Sequence, residues 1–188
     1  MSKASKNTSH RKLFTVSSDA PFQFVEAYKS LRTNLQFCGE DKKVIAVTSC
    51  TPNEGKSSVS MQLGISLAES GKRVILIDAD LRKSVLLGRT KTQKSVRGLA
   101  HFLSGQATLE DVICSTNVKN FYMIYSGPFP PNPAELLGGK NFRSLLNALR
   151  KVYDYVIVDT PPLGSVIDSA IVAETVSYTH LRAHETRR

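Results

Sequence analysis

Three short runs of aliphatic side chains, Val44-Ile45-Ala46-Val47, Val74-Ile75-Leu76-Ile77 and Val156-Ile157-Val158, stand far apart along the chain, each closed by turn residues. Between them apolar positions recur every three or four residues. Continuous β-branched runs separated by helical periods are how strands buried on both faces of a parallel sheet appear, with helices as the crossovers. The pattern predicts an α/β fold. Phe24, Val25, Tyr28, Leu31 and Leu35 recur at helical spacing and predict a helix ending near Gly39, with its apolar stripe in the core. A second helix is expected over Lys56–Glu69, stopped by Ser70 with Gly71 at the C′ position. Leu99–Ser104 reads as a short helix closed by Gly105, and Asn132-Pro133-Ala134-Glu135 as an N-cap, a proline in the first turn and an acid two residues on. Leu145, Leu146, Leu149 and Val152 mark a longer helix leading into Tyr155–Val158, and Val166–Val176 has helical character. Residues 1–21 are polar and aperiodic and are expected to form a flexible arm, with the domain running over 22–176 and a polar tail over 177–188.

The ends of the three strands carry the chemistry. Ser49-Cys50-Thr51-Pro52-Asn53-Glu54-Gly55-Lys56-Ser57 lies directly after one strand and directly before a helix. This is a Walker A phosphate loop in which Cys50 replaces the first glycine. Such a loop wraps backbone N–H groups around phosphate oxygens, and nucleotide contact is assigned to Asn53, Glu54, Gly55, Lys56, Ser57 and Ser58, together with Pro52, which has no N–H to give and shapes the turn. Gly55 supplies positive φ, Lys56 is expected as a mostly exposed loop cation that neutralises β/γ charge, and the Ser57 hydroxyl is offered to Mg²⁺. The run Val74–Ile77 ends in Asp78-Ala79-Asp80, two carboxylates expected on one face, suited to a divalent cation or to proton transfer. Tyr155–Val158 followed by Asp159-Thr160-Pro161-Pro162 has the form of a Walker B strand. Parallel strands place all three ends on one sheet edge, where ligands bind. The fold class is therefore a P-loop NTPase-type, mostly parallel sheet flanked by helices, with a Mg²⁺-nucleotide site in which Lys56 and Ser57 meet the phosphates and metal, Asp159 stands in the metal's inner or outer shell, and Asp78 and Asp80 lie opposite the γ-phosphate. The motifs alone leave the phosphoryl acceptor open: water makes an ATPase, a protein hydroxyl a kinase.

Of the 188 residues, 25 are Lys or Arg and 16 Asp or Glu, a net charge of +9, but most of that excess sits in the two ends of the chain and residues 13–176 carry only +3. Basic composition is thus no sign of nucleic-acid binding here. Arg82, Lys83, Arg89, Lys91, Lys94 and Arg97 form a cationic stretch without one acid, read as either a solvated loop or the site of an anionic partner, nucleotide or acidic peptide. No run approaches the roughly 18 apolar residues that span a bilayer, and no apolar segment follows the polar start Met1–Lys12. Three cysteines without C-x-x-C spacing form neither a disulfide framework nor a zinc site, and His10, His101, His180 and His184 have no ligand-like spacing. A reducing cytoplasm is the expected compartment.

These motifs together resemble the bacterial tyrosine kinases of capsular and exopolysaccharide synthesis, of the separate cytoplasmic-subunit type. The resemblance runs from about Phe22 to Val176 and rests on Glu26-Ala27-Tyr28-Lys29-Ser30-Leu31-Arg32, the Pro52-bearing Walker A, the Walker A′ segment Ile77-Asp78-Ala79-Asp80-Leu81-Arg82, and Asp159-Thr160-Pro161-Pro162. Pro131-Asn132-Pro133-Ala134-Glu135-Leu136-Leu137 adds a further match. The resemblance implies an ATP-dependent protein-tyrosine kinase that autophosphorylates and regulates polysaccharide chain length. Lys56 and Ser57 would bind ATP and Mg²⁺, Asp78 or Asp80 would take the acceptor proton, and Asp80 and Asp159 would organise the metal. The implied partners are protein tyrosines and a membrane-embedded polysaccharide co-polymerase that activates the kinase and holds it at the inner face of the membrane. A further implied partner is a second copy, through Glu26, Lys29 and Arg32. Lys83-Ser84 stands where the family has a proline soon after the Walker A′ arginine, and Ser177–Arg188 departs from the strand, helix and tyrosine-rich tail that would follow. A truncated end with an uncovered strand edge is the expectation. Two other readings are a partition or septum-positioning ATPase, against which Thr51 stands where that group has a second lysine, and an inactive nucleotide-binding module.

Overall fold

The three aliphatic runs lie side by side at the centre of one sheet. In chain order the elements are β1 (Leu13–Phe14), α1 (Phe22–Phe37), β2 (Val44–Thr48), α2 (Lys56–Glu69), β3 (Val74–Asp78), α3 (Leu86–Arg89), α4 (Leu99–Leu103), α5 (Leu109–Val112), β4 (Cys114–Thr116), β5 (Phe121–Ile124), α6 (Pro133–Gly138), α7 (Lys140–Val152), β6 (Tyr155–Asp159), α8 (Asp168–Thr175) and β7 (His180–Arg182). This computed structural model describes residues 13–14, 22–39, 41–90, 96–164, 168–175 and 180–182.

The strand order is β1-β4-β5-β3-β6-β2-β7. Every pair is parallel except β4 with β5, so the sheet is mostly parallel as expected. Alternate side chains of the central strands serve opposite layers. Val44, Ala46, Ile75, Ile77, Val156 and Val158 pack with Leu137, Phe142, Leu145 and Leu149 on one face. Ile45, Val47, Val74, Leu76 and Ile157 pack with Leu35, Met61, Leu63 and Leu67 on the other. Burial on both faces is why these strands read as unbroken apolar runs rather than as alternation. The helix bounds at Lys56–Glu69 and the left-handed Gly71 and Gly105 match the sequence reading.

Four expectations are corrected. Within the segment expected to be a flexible arm, Leu13–Phe14 pairs with β4. The edge of β2 expected to be uncovered is paired by β7, Ala46 facing His180 and Thr48 facing Arg182. Edge pairing needs only backbone N–H and C=O groups, so strands of two or three residues leave no hydrophobic period to read. The α1 stripe is not uniformly core: Leu35 is buried, but Phe24 is 56% exposed. Finally, Lys56 is not an exposed loop cation. It opens α2 and is only 8% exposed.

Candidate active site

The phosphate loop turns between β2 and α2 on two left-handed residues, Asn53 at φ 65° and Gly55 at φ 79°. A left-handed residue immediately before a helix turns the loop's N–H groups inward, where an anion would sit on the helix N-terminus. Glu54 braces the loop from inside, accepting from the Cys50 N–H at 3.0 Å and the Thr51 hydroxyl at 2.7 Å. The turn after β6 closes against it: Leu163 and Gly164 donate backbone N–H groups to the carbonyls of Ser49 and Cys50 at 2.9 and 3.0 Å. Gly164 has no alternative here, since a Cβ at that position would lie 2.5 Å from the Cys50 carbonyl oxygen.

An open pocket is lined by Pro52, Asn53, Glu54, Gly55, Lys56, Ser57 and Asp80, together with Lys83, Val85, Arg89 and Pro162. Lys56 Nζ sits 3.7 Å from Asp80 Oδ2 and 3.6 Å from Asp159 Oδ1, and donates to Ser57 Oγ at 3.2 Å. Two acids around one ammonium are why a lysine tolerates this burial. Ser58 lies beside the pocket and accepts from the Arg89 guanidinium. Asp78 and Asp159 are adjacent strand-end residues in the β3–β6 register and are almost fully buried. Asp159 Oδ1 accepts from Ser60 Oγ at 3.1 Å, while its Oδ2 has no partner among the described residues. Burial pushes the Asp159 carboxyl upward, against the pull of Lys56.

Asp78 and Asp80 do not share partners, although they end the same strand. Asp80 is held by Lys56 and by the Lys83 N–H at 3.0 Å. Asp78 Oδ2 accepts from the Ser84 hydroxyl and from the Ser126 N–H at 3.4 Å, and its Oδ1 is buried without a partner among the described residues. Burial first, and the neighbouring Asp159 second, push the Asp78 carboxyl up to about 7. Ser60, Ser84, Ser126 and Asp168 were not legible as site residues. Serines beside a Walker segment have no motif of their own, and Asp168, which takes a bidentate ion pair from Arg82 at 2.7 and 3.1 Å, lies 86 residues away in the chain. The α1 residues lie elsewhere: Arg32 donates to the Ser66 carbonyl at 2.8 Å on α2, leaving Glu26 and Lys29 as an exposed pair at 2.8 Å.

A divalent cation fits this arrangement. The unpartnered buried Asp159 Oδ2 and the Ser57 hydroxyl beside it are hard oxygen donors, the kind Mg²⁺ takes. No cluster of three or more His, Cys, Asp or Glu among the described residues is arranged to hold a metal unaided.

A P-loop, a Walker B carboxylate and a buried lysine on one edge of a parallel sheet define a nucleotide-binding P-loop protein. The family described as AAA domain matches residues 42–178. The chain belongs to that family. It is 45% identical over 148 residues to the tyrosine-protein kinase CpsD of Streptococcus agalactiae, a match covering 79% of this chain and 65% of CpsD. The chain thus spans just under two thirds of the length of that relative. The kinase domain of the Escherichia coli tyrosine kinase ETK superposes with a TM-score of 0.79 at 38% identity, over 85% of this chain and 62% of that one. The resemblance read from the motifs is borne out by these matches. The septum site-determining protein MinD of Pyrococcus horikoshii, complexed with Mg-ADP, shares the fold, with a TM-score of 0.62 at 24% identity over 75% of this chain and 57% of that one. No helix among the described residues is long and apolar enough to cross a membrane.

Proposed function

We propose that the chain is the catalytic part of an ATP-dependent protein-tyrosine kinase that autophosphorylates and acts in capsular or exopolysaccharide synthesis. The observation that carries this is the buried Lys56 ammonium held between Asp80 and Asp159 at the mouth of the phosphate loop. A ligand phosphate placed on the loop's N–H groups meets that ammonium directly, and Lys56 exchanges its contacts with the acids for the phosphate oxygens. Mg²⁺ bound with ATP, on Ser57, Asp80 and Asp159, would supply further neutralisation of phosphate charge. Pro52, Asn53, Glu54, Gly55 and Ser58 shape the nucleotide cradle.

Asp78 is the residue for the acceptor proton. Asp80 is occupied by Lys56 and Lys83, whereas Asp78 has a free oxygen and a carboxyl poised near neutrality, where a general base is most effective. Ser84 bonds the other oxygen, Oδ2, and Oδ1 is buried, so the acceptor tyrosine reaches Oδ1 by displacing the residues around it; Oδ1 takes the hydroxyl proton as the tyrosine oxygen bonds to the γ-phosphorus and the bond from that phosphorus to the departing ADP oxygen breaks. The partners in this reading are protein tyrosines and a membrane-embedded co-polymerase that activates the kinase and keeps it, as a cytoplasmic protein, at the inner membrane face. Self-association through the α1 stripe would draw on Glu26 and Lys29, because Arg32 is engaged with α2. The experiment is transfer of the γ-phosphate to tyrosine by wild type and by Lys56→Met, with the activator present. Loss of transfer by more than about a hundredfold is expected; undiminished tyrosine phosphorylation removes Lys56 from the site.

A further inference from the structure

The cationic stretch after the Walker A′ segment is only partly accounted for by nucleotide binding. Arg82 is taken up by the buried Asp168, and Arg97 approaches Asp111 at 3.5 Å. Lys91 and Lys94 lie outside the described residues. Lys83 and Arg89 remain. Both are exposed, both line the mouth of the pocket, and neither has a carboxylate within ion-pair distance among the described residues. Two exposed apolar side chains lie between them in the chain, Val85 at 43% and Leu87 at 36% exposure, while Leu86 beneath is fully buried and anchors α3.

The interleaving decides what such a rim is for. A nucleotide would use the two cations, and its base could cover Val85, which lines the pocket, but the exposed Leu87 lies outside that lining. A peptide segment carrying both carboxylate and apolar side chains satisfies all four. The rim is also tied to the reacting groups on the acceptor side. Lys83 N–H holds Asp80, and Ser84, between Lys83 and Val85, donates its hydroxyl to Asp78 while accepting from the Leu86 N–H at 3.2 Å. A segment seated on this surface therefore lies one residue away from Ser84, which bonds Asp78.

We infer that Lys83, Val85, Leu87 and Arg89 form the acceptor-docking surface, and that it selects a tyrosine flanked by carboxylate side chains with an apolar neighbour. The specificity rests on the kinase reading; binding of such a segment does not. The 188-residue chain with Mg·ADP is titrated by fluorescence anisotropy against two synthetic peptides with phenylalanine in the tyrosine position, one with Asp/Glu flanks and one with Lys/Arg flanks. The acidic peptide is expected to bind about tenfold more tightly at low salt, with the difference shrinking at high salt. Lys83→Glu/Arg89→Glu, titrated with Mg·ADP held at saturation, is expected to reverse the order of the two peptides. Val85→Asp, with both cations kept, is expected to weaken the acidic peptide alone. Equal binding of the two peptides, or a preference unchanged by the charge reversal, overturns the proposal. Weaker Mg·ADP binding with an unchanged peptide preference assigns the cations to nucleotide instead, and also overturns it. Tyrosine forms of the same peptides then test the other reading separately: tight acidic binding without any phosphotyrosine counts against the kinase and leaves the surface standing.

Discussion

Asp78 has the sharpest electrostatic consequence of any single residue. Its carboxyl is raised from an ordinary 3.8 to about 7 by burial and by Asp159. Between those two values the folded protein holds a proton that the unfolded chain has released, so its contribution is full below about 4 and is lost as pH rises through about 7. Without nucleotide or metal, stability should therefore fall across that window, and Asp78→Asn should flatten the slope and be the more stable protein at pH 8, by at most about 4 kcal/mol. Denaturant melts of both proteins from pH 4 to pH 8 check this; parallel curves contradict it. Lys56 works in the opposite sense. Replacing it by Met leaves Asp80 and Asp159 without their ammonium, so a loss of about 3 to 5 kcal/mol at neutral pH should accompany the loss of transfer. The sequence named Lys56, Asp78, Asp80 and Asp159 because each sits at a fixed offset from a strand or glycine. It placed Lys56 in solvent because a motif states which residues meet a phosphate and not how far the surrounding acids draw the lysine inward.

At the scale of elements, the site depends on the contact between two loops. The turn after β6 lies on the phosphate loop through Gly164, with no room for a side chain against the Cys50 carbonyl. Gly164→Ala should push the loops apart, cost about 1 to 3 kcal/mol of stability and weaken Mg·ADP binding in calorimetric titration; unchanged affinity would mean that the two loops are not coupled. On the far side of the sheet's α2 layer, Arg32 fastens α1 to the carbonyl of Ser66. Arg32→Ala should therefore lower stability by about 1 kcal/mol at every protein concentration, whereas a residue serving only self-association would show a concentration-dependent loss. Long elements were legible because burial on one or two faces imposes a period: α2 and the central strands fall where the apolar pattern puts them. Pairing of β1 and β7 was not, since backbone hydrogen bonding at a sheet edge makes no demand on side-chain type.

For the molecule as a whole, the sheet brings three segments that are distant in the chain to one edge and sets a cationic and apolar rim beside them. Lys83 and Arg89 were visible in the sequence only as part of a charged stretch. Which of its six cations are free is a matter of partners: Asp168, which occupies Arg82, is brought to it from α8 by the fold. The same fold serves a septum-site protein bound to Mg-ADP, so architecture alone does not choose between a nucleotide switch and a kinase. The difference lies in where the γ-phosphate goes. Intact-mass measurement after incubation with Mg·ATP and an activator segment, with the modified residues located by fragmentation, reads this directly. The account predicts mass increments of whole phosphoryl groups on tyrosine, in the chain or in an added acceptor, absent in Lys56→Met. Release of inorganic phosphate with no phosphotyrosine anywhere would contradict it.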